Sequence, residues 1–332
     1  MFKKLLIFIN QNLSYIIIFK HKKNKMEQAF NPNQDAQIIC QAQNKPKNME
    51  AIINIIAHRS NVQRQQILQS YYNLFNKNIQ DDLRSNLSGN FKDAAMALFF
   101  TPIDYDCYQI YNAMKGIGTN EDTLIEVIAT RSNERINQIK QRFAEIYKKE
   151  LIKEIDSETS GFFKRILLAL LNAERQINPN PNEQECGECA KRLFNSQKEK
   201  KDILQETYIE IFTKKSREEL ALISKIYYQW YSKTPLEEVE RLFSGDSRRI
   251  LKAIIYALLS PSEYFAYRMH KAMKGLGTND TILIRVLVSR DEIDIGRIKR
   301  YYKQLYNITL YEAVQKNISG DYQKLLLALI GN

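Results

Sequence analysis

The 332-residue chain is predicted to be all-α, with four tandem repeats of about five short helices each. Three observations predict this. Ser-Gly pairs recur at Ser88-Gly89, Ser160-Gly161, Ser244-Gly245 and Ser319-Gly320, spaced by 72, 84 and 75 residues. A second set, Arg59, Arg131, Lys215 and Arg290, keeps the same spacings, each 30 residues before its glycine. Apolar residues between these landmarks recur at helical intervals, without sustained period-two alternation or an Asn-Gly hairpin turn. Two landmark sets agreeing over four copies identify a repeat array.

Composition agrees with that class. Hydrophobic residues make up 44% and charged residues 26%, as in an ordinary soluble globular protein. Eleven glycines and seven prolines suit a mostly helical chain. The formal charge is +11, but six lysines fall within residues 1–25, which hold no acid, and the remainder carries only +5. Such a mild excess fits an anionic membrane surface as well as nucleic acid. No nucleic-acid motif accompanies it, so nucleic acid is not expected as a partner. Four cysteines in a chain of this length read as reduced thiols rather than a disulfide framework. Cys186-Gly-Glu-Cys189 lacks the second pair that zinc requires and the βαβ setting of a redox motif, and is read as a polar loop.

Taken in order, residues 1–32 form an N-terminal tail. Its residues 5–19 are apolar and flanked by lysines. Three readings compete. As a membrane span the stretch is shorter than about 20 residues and is interrupted by Asn10, Gln11 and Asn12. Its ten Leu, Ile and Phe residues contribute roughly −3 to −6 kcal/mol to insertion before that interruption is counted. As a signal peptide it lacks a small-x-small cleavage site before Met26. The preferred reading starts translation at Met26, which leaves residues 1–25 outside the mature protein.

Repeat one is assigned to residues 33–101 and repeat two to 102–176. In repeat two, Leu124, Ile125, Ile128 and Ala129 mark one helix face, and Ile136, Ile139, Phe143 and Ile146 the next. A linker follows at 177–185, where Asn178-Pro-Asn-Pro-Asn182 breaks helix. Repeat three takes 186–260 and repeat four 261–331. Each Ser-Gly pair reads as a helix start, with serine as the cap and glycine allowing a sharp turn. Eight residues after each glycine stands Ala97, Ala169, Ala253 or Ala328, followed by an apolar residue. These positions, and the Arg131 set as loop braces, are assigned to folding.

Chemistry concentrates in two hexapeptides, Met114-Lys-Gly-Ile-Gly-Thr119 and Met273-Lys-Gly-Leu-Gly-Thr278. Each begins where a helix is expected to end, and glycine turns the chain away, leaving the last carbonyls without helical partners. Carbonyls are hard, neutral oxygen ligands, and calcium takes six to eight oxygens in irregular geometry. Met114, Gly116 and Gly118 supply such carbonyls in repeat two. Glu158, three residues before Gly161 and expected at the start of the repeat's last helix, supplies the charge. The remaining coordination positions face water or a lipid phosphate. In repeat four, Met273, Gly275 and Gly277 match, but the acid position holds Asn317, so a weaker site is expected, with Asp321 nearby. Repeat one reads Ala42-Gln-Asn-Lys-Pro-Lys47 with Asn86 at the acid position, and repeat three Lys198-Glu-Lys-Lys-Asp202 with Leu242. No site of this kind is expected in either.

Met-Lys-Gly-x-Gly-Thr-Asn-Glu, then Thr-Arg-Ser, then Glu-Thr-Ser-Gly resembles an annexin repeat, and four copies with a longer central linker resemble the annexin core over about residues 33–331. The resemblance implies a curved array with convex calcium-binding loops, and calcium-dependent binding to anionic, phosphatidylserine-like phospholipid membranes. It also implies a cytoplasmic protein, peripheral on plasma or vesicle membranes when calcium rises, with lateral self-assembly there. It places Lys115, Thr119, Lys274 and Thr278 at the lipid headgroup. On a plainer account the threonines are helix N-caps and the lysines are solvated.

An enzyme is not expected. A dinucleotide loop needs a third glycine where Glu121 and Asp280 stand, and no Walker loop or nucleophile elbow is present. The alternative is a calcium-insensitive helical-repeat scaffold whose sites have decayed.

Overall fold

The computed structural model describes residues 30–44 and 47–331. The readings of residues 1–25 and of the Met26 start lie outside the described residues, as do Lys45 and Pro46 of the first loop. Twenty helices and no strand form among the described residues, five to each predicted repeat.

Repeat one contains α1 (Pro32–Ala42), α2 (Met49–Ile56), α3 (Asn61–Phe75), α4 (Ile79–Asn86) and α5 (Gly89–Ala97). Repeat two contains α6 (Pro102–Met114), α7 (Glu121–Thr130), α8 (Asn133–Tyr147), α9 (Leu151–Glu158) and α10 (Gly161–Leu171). Repeat three contains α11 (Glu183–Ser196), α12 (Lys201–Lys214), α13 (Arg217–Tyr231), α14 (Pro235–Leu242) and α15 (Gly245–Leu259). Repeat four contains α16 (Pro261–Met273), α17 (Asp280–Arg290), α18 (Ile295–Tyr306), α19 (Leu310–Asn317) and α20 (Gly320–Ile330). No helix among the described residues is long and apolar enough to cross a membrane.

The chain divides into two compact units. One comprises residues 106–261, hence most of repeats two and three. The other joins 30–105 to 262–331, hence repeats one and four. Both units use the same helices for their cores, the second and fifth of each repeat. In the first unit α7 packs on α15 and α10 on α12. Leu124, Ile128, Ile166, Leu167, Ile250 and Leu251 are buried there, and Phe162 stacks on Phe243 at 5.4 Å. In the second unit α17 packs on α5 and α20 on α2, burying Ile52, Leu98, Leu283, Leu287 and Leu325. Each such side chain contributes roughly 1.5–3 kcal/mol through burial.

Local sequence starts and stops these helices. Asn31, Ser60, Asn78, Ser132, Asn182, Ser216, Thr234 and Thr309 each accept a first-turn backbone N–H. The Ser-Gly pairs work differently from expectation. Ser88, Ser160, Ser244 and Ser319 occupy the cap position, yet none makes a side-chain cap bond. The glycine carries the junction, at φ +54 to +69° in all four copies. The Cys186–Cys189 segment is not a loop. It lies inside α11 with both thiols buried, and Gly187 leaves room for Trp230, whose ring would stand 2.9 Å from an added Cβ. Helix α11 also starts at Glu183, within the stretch read as linker. Ile146, read as core-facing, is exposed at the end of α8.

The basic landmarks brace their repeats. Arg59 pairs with Asp35 (2.7 Å), Arg131 with Asp106 (2.7 Å), Lys215 with Glu219 (3.0 Å) and Arg290 with Asp294 (2.7 Å).

Candidate functional site

In repeat two the loop leaves α6 at Met114 and is closed by one backbone bond, Asn120 N–H donating to Ala113 C=O at 2.7 Å. Between these anchors Gly116 takes φ +104° and Gly118 φ +82°. A Cβ at either would meet nothing within 4 Å, so the backbone, not space, demands glycine. The turn that results leaves three carbonyls open. Among the described residues no donor sits on the carbonyls of Met114, Gly116 or Gly118.

Glu158 is the last residue of α9 rather than the first of the final helix, which starts at Gly161. It is brought to the loop by Thr119. The Thr119 hydroxyl donates to the Glu158 carbonyl at 3.1 Å and lies 3.5 Å from its carboxylate Oε2. The structure thus brings the loop and Glu158 together through Thr119, a residue expected at the lipid headgroup or as a helix N-cap. Thr119 is not a helix N-cap; that role belongs to Asn120, whose side chain accepts from Thr123 N–H at 3.0 Å. Lys115 is exposed, with its ammonium 5.9 Å from the centre of the Tyr111 ring, and Tyr111 stacks on Tyr147 at 4.0 Å.

Repeat four repeats the loop without its acid. Asn279 N–H closes on Ala272 C=O at 2.7 Å, and Gly275 and Gly277 take φ +123° and +79°. Asn279, not Thr278, caps α17. Asn317 ends α19 as Glu158 ends α9, but its amide donates to Ala313 C=O at 2.8 Å. Thr278 turns to Asp280 at 2.9 Å, and Asp321 pairs with Lys324 at 2.9 Å. Lys274 is exposed beside His270, which stacks on Tyr306 at 3.6 Å. Burial and the Lys274 charge lower the His270 pKa.

Sequence reasoning passed over two residues. Ile117 and Leu276, between the paired glycines, are fully exposed at the tips of the two loops. The signal was available, because an apolar residue between two solvated glycines has nothing in its own loop to pack on.

The donor set suits calcium. It offers neutral carbonyl oxygens and one carboxylate, the hard oxygen donors that calcium takes.

Comparison with known proteins identifies the family. The Annexin family model matches residues 34–98, 105–170 and 264–329. Annexin A1 of Equus caballus is 37% identical over 305 residues, covering 91% of this chain and 88% of that protein. The solved structure of annexin III superimposes with a TM-score of 0.88 at 34% identity, covering 92% of this chain and 95% of the other. A calcium-bound structure of annexin (Sm)1 superimposes with a TM-score of 0.80 at 31% identity, covering 93% and 92%. The chain belongs to the annexin family, whose general property is calcium-dependent phospholipid binding.

Proposed function

We propose that this protein binds anionic phospholipid membranes through calcium held at the repeat-two loop. The observation that carries this reading is the pairing of three open carbonyls, at Met114, Gly116 and Gly118, with a carboxylate that Thr119 ties to the same loop. Bound calcium would supply the positive charge that a lipid phosphate recognises. Lys115 adds a second cation beside it, and Ile117 an apolar contact with the acyl boundary. Met273, Gly275 and Gly277 form a weaker site, with Lys274 and Thr278 beside it, because Asn317 brings no charge. The proposed division is repeats at 33–101, 102–176, 186–260 and 261–331, with sites in the second and fourth. The function is binding, not catalysis. The protein works in the cytoplasm and on the membranes it meets when calcium rises, with lateral assembly as the route to higher avidity.

Sedimentation with phosphatidylserine vesicles tests this. The wild-type chain is expected to pellet with calcium and to release with chelator, and Glu158→Gln to need several-fold more calcium. Calcium binding should itself strengthen when lipid is present, since the coupling is reciprocal. Binding indifferent to chelator would instead favour the calcium-insensitive scaffold, which the uncharged acid positions Asn86, Leu242 and Asn317 support. Binding that depends on calcium but not on Glu158 would move the site elsewhere.

A further inference from the structure

The loop of repeat one lacks the glycines and the acid, yet it closes as the other two do. Asn48 N–H donates to Ala42 C=O at 2.9 Å, and the Asn48 side chain caps α2 by accepting from Ala51 N–H at 3.1 Å. This matches Asn120 with Ala113, and Asn279 with Ala272. Ala42 therefore corresponds to Ala113 rather than Met114, and the loop is one residue shorter than in repeats two and four. The residue before the cap is Lys47, in the place of Thr119. Thr119 reaches the last residue of α9, Glu158, and Lys47 does the equivalent. Its Nζ donates to the carbonyl of Asn86, the last residue of α4. Asn86 is fixed in turn, its amide donating to Asp82 C=O (3.0 Å) and towards Gln43 Oε1 (3.4 Å). An ammonium thus stands at the acid position of repeat one.

We propose that Lys47 is a built-in cation that replaces calcium in repeat one and gives the chain a calcium-independent contact for a phosphate group. The proposal rests on the reading above that the calcium loops meet lipid. A lysine has three donors, and Asn86 takes one. The exposed ammonium lines an open cleft of about 560 Å³ within the unit of repeats one and four. Ser88 and Ser319 also line it, at the N-termini of α5 and α20, with hydroxyls not used as caps. Two helix N-termini favour negative charge. Tyr322, on the same wall, has a buried hydroxyl held beside the Asp280 carboxylate, and burial first and Asp280 second raise its pKa. The two carboxylates of the cleft already have partners. Asp280 accepts from Asn90 (2.7 Å) and Thr278 (2.9 Å), and Asp321 from Lys324 (2.9 Å).

The test is sedimentation of the full chain with phosphatidylserine vesicles in excess chelator at low salt. The wild type is expected to retain a residual binding that Lys47→Gln weakens about fivefold. That factor corresponds to the ~1 kcal/mol of one lysine at an anionic surface. Lys47→Arg should keep the residual binding, which separates the charge from a folding defect. The calcium-dependent increment should survive Lys47→Gln unchanged and need several-fold more calcium in Glu158→Gln, so failure of this proposal is distinguishable from failure of the calcium reading. A Lys47-dependent rise in unfolding temperature with inorganic phosphate alone would assign the contact to phosphate itself. A vesicle effect without that rise would assign it to the headgroup at a surface. No chelator-resistant binding, or equal residual binding in Lys47→Gln, overturns the proposal.

Discussion

At the scale of single residues, Asp106 shows how charge is kept inside this fold. Arg131 reaches it at 2.7 and 3.0 Å and Arg135 at 2.9 Å. Burial pushes the Asp106 carboxyl up, but the Arg131 and Arg135 guanidiniums outweigh it and hold the pKa below the usual carboxylate range. A carboxyl depressed in the folded state contributes stability that is present above its unfolded pKa near ~4 and is lost as pH falls through the folded value. Asp106→Asn should therefore cost about 3 kcal/mol at neutral pH, by leaving the part-buried Arg131 without its carboxylate, and should lose less stability than the wild type below about pH 4. Urea unfolding across pH 2–7 measures both, and parallel acid profiles for the two proteins would exclude Asp106 as the group. The loop tips allow a second prediction. Ile117→Ser is expected to weaken calcium-dependent vesicle binding several-fold without altering stability, because the side chain packs on nothing in the folded chain. Vesicle titration beside thermal unfolding reads both quantities, and unchanged binding would remove Ile117 from the lipid contact. The turn glycines of the candidate loop and the acid beside it were legible in the sequence, because a tight turn and a carboxylate are both visible as letters. The partners of the braces were not. Arg131 finds its acid 25 residues earlier, whereas Arg290 has Phe265 at that spacing, lies 4.5 Å over its ring, and takes Asp294 four residues later.

At the scale of helices, the ends are more informative than the middles. The third helix of every repeat stops at a left-handed residue that is not glycine: Asn76, Lys148, Ser232 and Asn307, at φ +52 to +58°. Asparagine adopts this region at little cost, whereas lysine adopts it at a cost of about 1 kcal/mol. Lys148→Gly is expected to stabilise the protein by up to ~1 kcal/mol, and denaturant unfolding would show it as a raised midpoint. The Ser-Gly junctions give the opposite contrast. Ser160→Ala should lie within about 0.5 kcal/mol of wild type, since its hydroxyl makes no cap bond, whereas Gly161→Ala at φ +62° should cost ~1–2 kcal/mol. Equal costs would return the junction to ordinary serine capping. Serine at a cap position looks the same in sequence whether or not its hydroxyl is used, which is why this distinction needed the structure. The Cys186 segment was misread for a related reason. The Asn-Pro run before it masked the buried set Cys186, Cys189, Ala190 and Leu193, whose spacings of three and four are helical.

At the scale of the whole molecule, each compact unit pairs one repeat that carries the glycine loop with one that does not. Repeat two accompanies repeat three, and repeat four accompanies repeat one. Repeat four has every backbone feature of repeat two: the closing bond, both positive-φ glycines and the exposed apolar tip. It differs at the residue ending the penultimate helix, Asn317 in place of Glu158, and in the direction of its threonine hydroxyl. Calcium affinity follows ligand charge, so one added carboxylate should be decisive where the rest of the cage exists and irrelevant where it does not. Asn317→Glu is therefore expected to lower the calcium needed for half-maximal vesicle binding several-fold. Leu242→Glu, in a repeat without loop glycines, should leave it unchanged. Calcium titrations of phosphatidylserine vesicle binding for the two variants decide the matter. If the two respond alike, charge near the membrane is enough by itself. If only Asn317→Glu responds, the loop carbonyls and the acid act as one cage, and the single residue at the end of α19 sets the calcium response of its unit.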